Sequence, residues 1–125
     1  MSATEILFIA DDLASINIAW RHFAYQEYSV RATTLVESVM ECFGSNNKPQ
    51  VVVYYCNSSS RQLIELYRAM RSDERSVKTP LVILADPPQQ KTLMEYLKLD
   101  NTQVVGISID DEKLKEIIRK AAKKR

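Results

Sequence analysis

The sequence predicts an α/β fold, a parallel sheet with helices on both faces, and three observations carry that prediction. Short apolar runs alternate with longer stretches whose apolar residues recur at helical spacing. The short runs are continuous rather than alternating in–out, as in strands buried on both faces. Short polar connections separate the elements, so each strand returns beside an earlier one through a helix.

The elements follow in order. "ILFIA" (Ile6–Ala10) is a first strand, ended by Asp11 and Asp12. "LASINIAWRHFAYQEY" places Leu13, Ile16, Ala19, Trp20 and Phe23 on one helical face. "YSVRA" (Tyr28–Ala32) is a weaker strand, with Val30 its one strong apolar residue. "TTLVESVMECF" is a second helix using Leu35, Val39, Met40 and Phe43, with Gly44 in a C-cap position. Pro49 leads into the strand Val51–Tyr55. "SSSRQLIELYRAMR" turns Leu63, Leu66, Tyr67 and Met70 inward, with Ser59 and Gln62 spaced as a capping box. "TPLVILA" (Thr79–Ala85) is a fourth strand. "DPPQQKTLMEYLKL" starts on an Asp86 cap and a first-turn proline, with Leu93, Met94 and Leu97 inward. "QVVGISI" (Gln103–Ile109) is the fifth strand. The last helix carries Leu114, Ile117, Ile118 and Ala121 on one stripe, and its terminal cations complement its dipole.

Composition narrows the function. A chain of 125 residues fits one domain, residues 1–125, with a proper core. Apolar residues at 46% and charged residues at 26% are an ordinary globular mix. A net charge of +1 gives no global field to recruit nucleic acid or an anionic membrane. No apolar run approaches the length of a membrane span, and the acidic start does not read as a signal peptide. Cys42 and Cys56 make neither a disulfide framework nor a metal-like pair, so a reduced, cytoplasmic protein is expected. Two glycines, Gly44 and Gly106, are too few for a P-loop or a dinucleotide fingerprint. His22 is the lone histidine, which excludes a multi-histidine metal site; its ring is expected to face solvent.

In open parallel sheets, sites lie beyond the carboxyl ends of the strands. Those ends carry Asp11 and Asp12, Tyr55 and Cys56, Ala85 and Asp86, and Ile107 and Ser108. Here the sequence resembles a known family. "ILFIADDLASI" is similar to the opening of response-regulator receiver domains, where a strand ends in an acidic pair. "KPQVVVYYCNSSSRQLIELYRAMR" resembles the family's "PDLVLLD…GLELLRRIR", and "TPLVILA" resembles "TPVIMLT". The resemblance implies a flavodoxin-like (βα)5 fold with sheet order 2-1-3-4-5. It also implies Mg²⁺-assisted phosphoryl transfer from a histidine kinase to an aspartate.

The departures from that pattern set the expected function. The resemblance puts Tyr55 in the phosphoacceptor position, Ala85 in the hydroxyl position and Ile107 in the lysine position. Sliding the register restores none of them. The first aspartate after Asp12 is Asp73, "LVILAD" has no hydroxyl, and no lysine lies between Lys98 and Lys113. Phosphoryl transfer depends on positioning and charge neutralisation. The chain is therefore expected to be a pseudo-receiver, not an enzyme, with no catalytic residue, no cofactor and no metal. Asp11 and Asp12 are expected as a vestigial acidic pair, with Tyr55 donating a hydrogen bond to one of them.

The expected role is protein–protein interaction in or alongside a bacterial two-component pathway. The resemblance implies an interaction face on the fourth helix, fifth strand and fifth helix: Lys91, Tyr96, Lys98, Gln103, Lys113 and Lys120. Another signalling protein or domain is the expected partner, and a homodimer through helices 4 and 5 would match family habit. The alternative is a small-molecule- or redox-responsive domain using a pocket near Tyr54, Tyr55, Cys56 and Pro87, although Cys56 by itself reads as a small buried thiol.

Overall fold

The computed structural model describes residues 3–23, 27–46, 48–57, 60–96 and 101–123, without the side chains of residues 19, 20, 95 and 96. The elements are β1 (Thr4–Ala10), α1 (Leu13–Phe23), β2 (Tyr28–Thr33), α2 (Val36–Phe43), β3 (Val51–Cys56), α3 (Arg61–Ser72), β4 (Leu81–Ala85), α4 (Pro87–Tyr96), β5 (Thr102–Gly106) and α5 (Asp111–Lys123). The five strands form one parallel sheet in the order β2-β1-β3-β4-β5. This is the flavodoxin-like order that the resemblance implied.

The continuous apolar runs become the central strands, and every residue of β3 and β4 is buried. Successive side chains of a strand point to opposite faces. Leu7, Ile9, Val52, Tyr54, Cys56 and Ile83 accordingly pack on one side, against Val39 and Phe43 of α2, Leu63, Leu66 and Met70 of α3, and Leu93 of α4. Phe8, Ala10, Val53, Tyr55 and Leu84 pack on the other side, with Phe23 of α1 and Leu114 and Ile118 of α5. β2 is an edge strand, half-buried throughout.

Helix starts explain two departures from the expected pattern, and helical phase explains a third. Leu13 is 78% exposed rather than inward, because Asp12 caps α1 at the Ser15 N–H (2.8 Å) and Ser15 takes the buried place. Leu35 is exposed because it is the residue before α2, outside the helical face. Met94 is exposed because Leu93, one residue earlier, fills the inward position. Leu97 and Ser59 lie outside the described residues. Ser60 precedes α3 without a side-chain cap bond. The Asp86 cap forms, with Gln89 N–H donating to its carboxylate at 3.1 Å. Gly44 ends α2 at φ −88°, so it caps without the left-handed geometry. His22 does not face solvent alone, since its Nδ1 lies 2.6 Å from Asp111 Oδ1 at the start of α5.

One polar tie closes the amino-terminal end of the sheet. The Arg71 guanidinium, from α3, donates to Thr79 O (2.9 Å), Val77 O (3.2 Å), Asn101 O (3.0 Å) and Thr102 Oγ1 (2.9 Å). Asn101 sits at φ 53°, a left-handed geometry that asparagine tolerates better than most residues. Its carbonyl also accepts from Leu81 N–H at 2.8 Å. Arg71 thus ties α3 and the loop before β4 to the first residues of β5.

Candidate functional site at the carboxyl ends of the strands

Strand register assembles the site. Ala10 lies beside Tyr55, Tyr55 beside Leu84, Cys56 beside Ala85, and Ala85 beside Gly106. The sheet therefore brings Asp11, Asp12, Tyr55, Ala85 and Ile107 to one end. Ile107 stands one residue past β5, held by its N–H on Ala85 O (2.9 Å).

The strand pleat decides which tyrosine meets which acid. Asp11 continues the odd-numbered side of β1 that carries Leu7 and Ile9, the side to which Tyr54 also points. The Tyr54 hydroxyl donates to Asp11 Oδ1. This corrects the expectation that Tyr55 would be the donor. Tyr55 instead points to the opposite side, where its ring stacks against Phe8 with centroids 6.5 Å apart. Sequence reading named Tyr54 only as a pocket residue and not as the donor, because the deciding fact is register: Ile9 pairs with Tyr54, so the next odd residue of β1 lies over the same side.

The electrostatics follow from this arrangement. Burial, and behind it the hydrogen bond and charge of Asp11, push the Tyr54 phenol above its ordinary range. Burial first, then Asp86 and Asp12, push the Tyr55 phenol up as well. Backbone and side-chain hydrogen bonds from Ser15 hold the Asp12 carboxyl below its usual range. Cys56 is fully buried, and burial together with Asp11 and Asp86 pushes its thiol up to about 12. Such a thiol is neither an accessible nucleophile nor a redox sensor at neutral pH.

The Mg²⁺ of receiver chemistry does not fit this donor set. A hard cation wants several converging oxygens. Asp11 is engaged by Tyr54, Asp12 caps α1, Asp86 caps α4, and the end of β3 supplies the Tyr55 ring rather than a carboxylate. Among the described residues no three His, Cys, Asp or Glu side chains could hold a metal ion.

Tyr54 also defines a pH response. Its folded-state pKa is raised, so the protonated phenol's contribution is complete below the unfolded value near pH ~10 and is lost as pH rises above it. Tyrosinate absorbance should therefore show a Tyr54 component, distinct from the also raised Tyr55, that ionises only as the chain unfolds. Tyr54→Phe should abolish that component, move alkaline unfolding to higher pH and cost about 1 kcal/mol at neutral pH. An unchanged alkaline transition would refute the assignment.

On the expected interaction face, Lys91, Gln103, Lys113 and Lys120 are exposed. Tyr96 belongs to α4, but its side chain, like Lys98, is outside the described residues. Among the described residues no helix is long and apolar enough to cross a membrane.

No family model and no curated relative matches the sequence. Solved structures do match in shape. The receiver domain of a sensor histidine kinase from Pseudomonas aeruginosa PAO1, with a magnesium ion in its active-site cleft, superposes with TM-score 0.75 at 12% identity, covering 97% of this chain and 98% of that one. A receiver domain of a histidine kinase from Syntrophus aciditrophicus gives TM-score 0.73 at 16% identity, over 98% and 94% of the two chains. A chemotaxis protein of Vibrio cholerae gives 0.70 at 13%, over 96% and 99%. At these identities the comparisons establish the fold: the chain has the five-stranded flavodoxin-like architecture of receiver domains.

Proposed function

We propose that residues 1–125 form a pseudo-receiver: a non-enzymatic, non-phosphorylatable signalling module that acts by protein–protein interaction. It would work in the cytoplasm, in or alongside a bacterial two-component pathway, with another signalling protein or domain as its partner and without nucleic acid, membrane or cofactor. The observation that carries this reading is the Tyr54–Asp11 hydrogen bond beside a buried Tyr55. The first engages one of the two remaining acids, and the second puts a ring at the acceptor position that the resemblance implies. Ala85 and Ile107 offer neither the hydroxyl nor the ammonium that a phosphoryl group needs. Asp11 and Asp12 are vestigial in this reading. The interaction face is α4–β5–α5, with Lys91, Gln103, Lys113 and Lys120 at its surface. The small-molecule or redox alternative gains nothing from a sealed Cys56.

Acetyl phosphate with Mg²⁺, followed by intact-mass measurement, tests the reading. No phosphoryl adduct should form, and beryllofluoride with Mg²⁺ should leave backbone amide resonances unmoved. An adduct on any aspartate, or a beryllofluoride-induced shift around Asp11, would overturn it.

A further inference from the structure

Beside β5 lies an open groove of about 490 Å³. Pro80, Leu81, Ile109 and Ile117 give it an apolar floor, and Lys113 and Lys120 stand at its rim. Glu116, between them on α5, is already paired with Arg119 and lies 3.9 Å from Lys120. Lys113 has no ion pair among the described residues. The groove therefore combines greasy walls with a net cationic rim.

β5 supplies a second feature. It is the last strand of the sheet, and no described strand lies beyond it. Leu81 N–H donates to Asn101 O, and Ile107 N–H donates to Ala85 O. In a parallel ladder this turns the odd-numbered backbone groups of β5 toward β4 and leaves both backbone groups of Val104 and the N–H of Gly106 facing outward, while the Gly106 carbonyl already accepts from Ile109 N–H at 3.1 Å. A Cβ added to Gly106 would meet only Gln90 Oε1, at 3.5 Å. The opposite edge, β2, carries the charged Arg31, which discourages edge pairing, whereas β5 carries no charge at all.

We infer that the β5 edge and its groove take an extended segment of another protein, bearing alternating apolar and acidic side chains, as a sixth strand. This rests on the interaction-module reading and names the partner's chemistry. Backbone groups of the segment pair with the N–H and carbonyl of Val104 and with the N–H of Gly106. Its apolar side chains enter the groove, and its carboxylates meet Lys113 and Lys120. A second copy fits less well. A two-fold axis through paired β5 edges sets the lysine rims of two α5 helices against each other, and like charges so placed repel.

The probe is a synthetic peptide alternating valine and glutamate, with a valine–lysine peptide as control, titrated into the isotope-labelled intact chain. The glutamate peptide should shift the Val104 and Gly106 amide resonances and slow their hydrogen exchange; the lysine peptide should not. Lys113→Glu with Lys120→Glu, both exposed, should weaken the glutamate peptide about tenfold and admit the lysine peptide. Val104→Pro removes one outward N–H, a change that edge strands tolerate, and should abolish the exchange protection. Equal binding of both peptides, shifts elsewhere, no binding at millimolar peptide, or self-association without peptide would each overturn the inference. Failure here with no adduct from acetyl phosphate sinks the strand-addition model alone. An adduct sinks the pseudo-receiver reading itself.

Discussion

Tyr55→Asp should lower stability by about 3–5 kcal/mol and still leave the chain unlabelled by acetyl phosphate. Tyr55 is 8% exposed, and its ring packs against Phe8 within the core shared with Ala10, Val53 and Leu84. The substitution removes that packing and places a carboxyl where Asp12 and Asp86 already disfavour negative charge. Such a carboxyl has a raised folded-state pKa, so the packing loss should remain at every pH while a further loss appears as pH rises through the ordinary carboxylate range. Urea melts at pH 4 and pH 8 would show the difference. On the pseudo-receiver reading, labelling should fail because Ala85 and Ile107 supply neither a hydroxyl nor an ammonium for a phosphoryl group. A labelled single variant would mean that the scaffold retains the rest of the phosphorylation machinery. Only a variant that also carries Ala85→Thr and Ile107→Lys restores the three kinds of group together.

Arg71→Ala should cost about 3 kcal/mol. Its guanidinium holds three backbone carbonyls and one hydroxyl drawn from two separated segments, and it lies 5.6 Å from the Tyr67 ring centroid. Removing it leaves the Asn101 and Thr79 carbonyls short of a charged donor and frees the start of β5. Arg71→Lys should recover less than half of the loss, because an ammonium cannot span the same fork. Denaturant melts of the three proteins give the ranking, and faster amide exchange at Gln103 and Val105 would place the damage in β5. Equal stability of the lysine variant and the parent would show that charge alone suffices.

Much of the architecture was legible in the residues. The continuous apolar runs read as strands at Val51–Tyr55 and Thr79–Ala85 form the central strands Val51–Cys56 and Leu81–Ala85, which are buried at every position. Asp86 followed by Pro87 reads directly as a helix start. Individual inward positions were less legible where a helix begins. Leu13 and Leu35 carry the right hydrophobicity, yet they sit where the chain has only just left a strand and no neighbouring element covers them. His22 shows the same limit, because its partner Asp111 is 89 residues away.

The sequence by itself determined the order of elements, the strands that would be central, and the absence of an acid, a hydroxyl and a lysine from the ends of the third, fourth and fifth strands. Those are properties of residue type and local spacing. Only the tertiary structure decided that Tyr54 rather than Tyr55 holds Asp11, and that Arg71 reaches across to β5. It also decided that the β5 edge opens onto an apolar groove with a lysine rim. Each depends on register between strands, and a shift of one residue would turn every side chain to the opposite face.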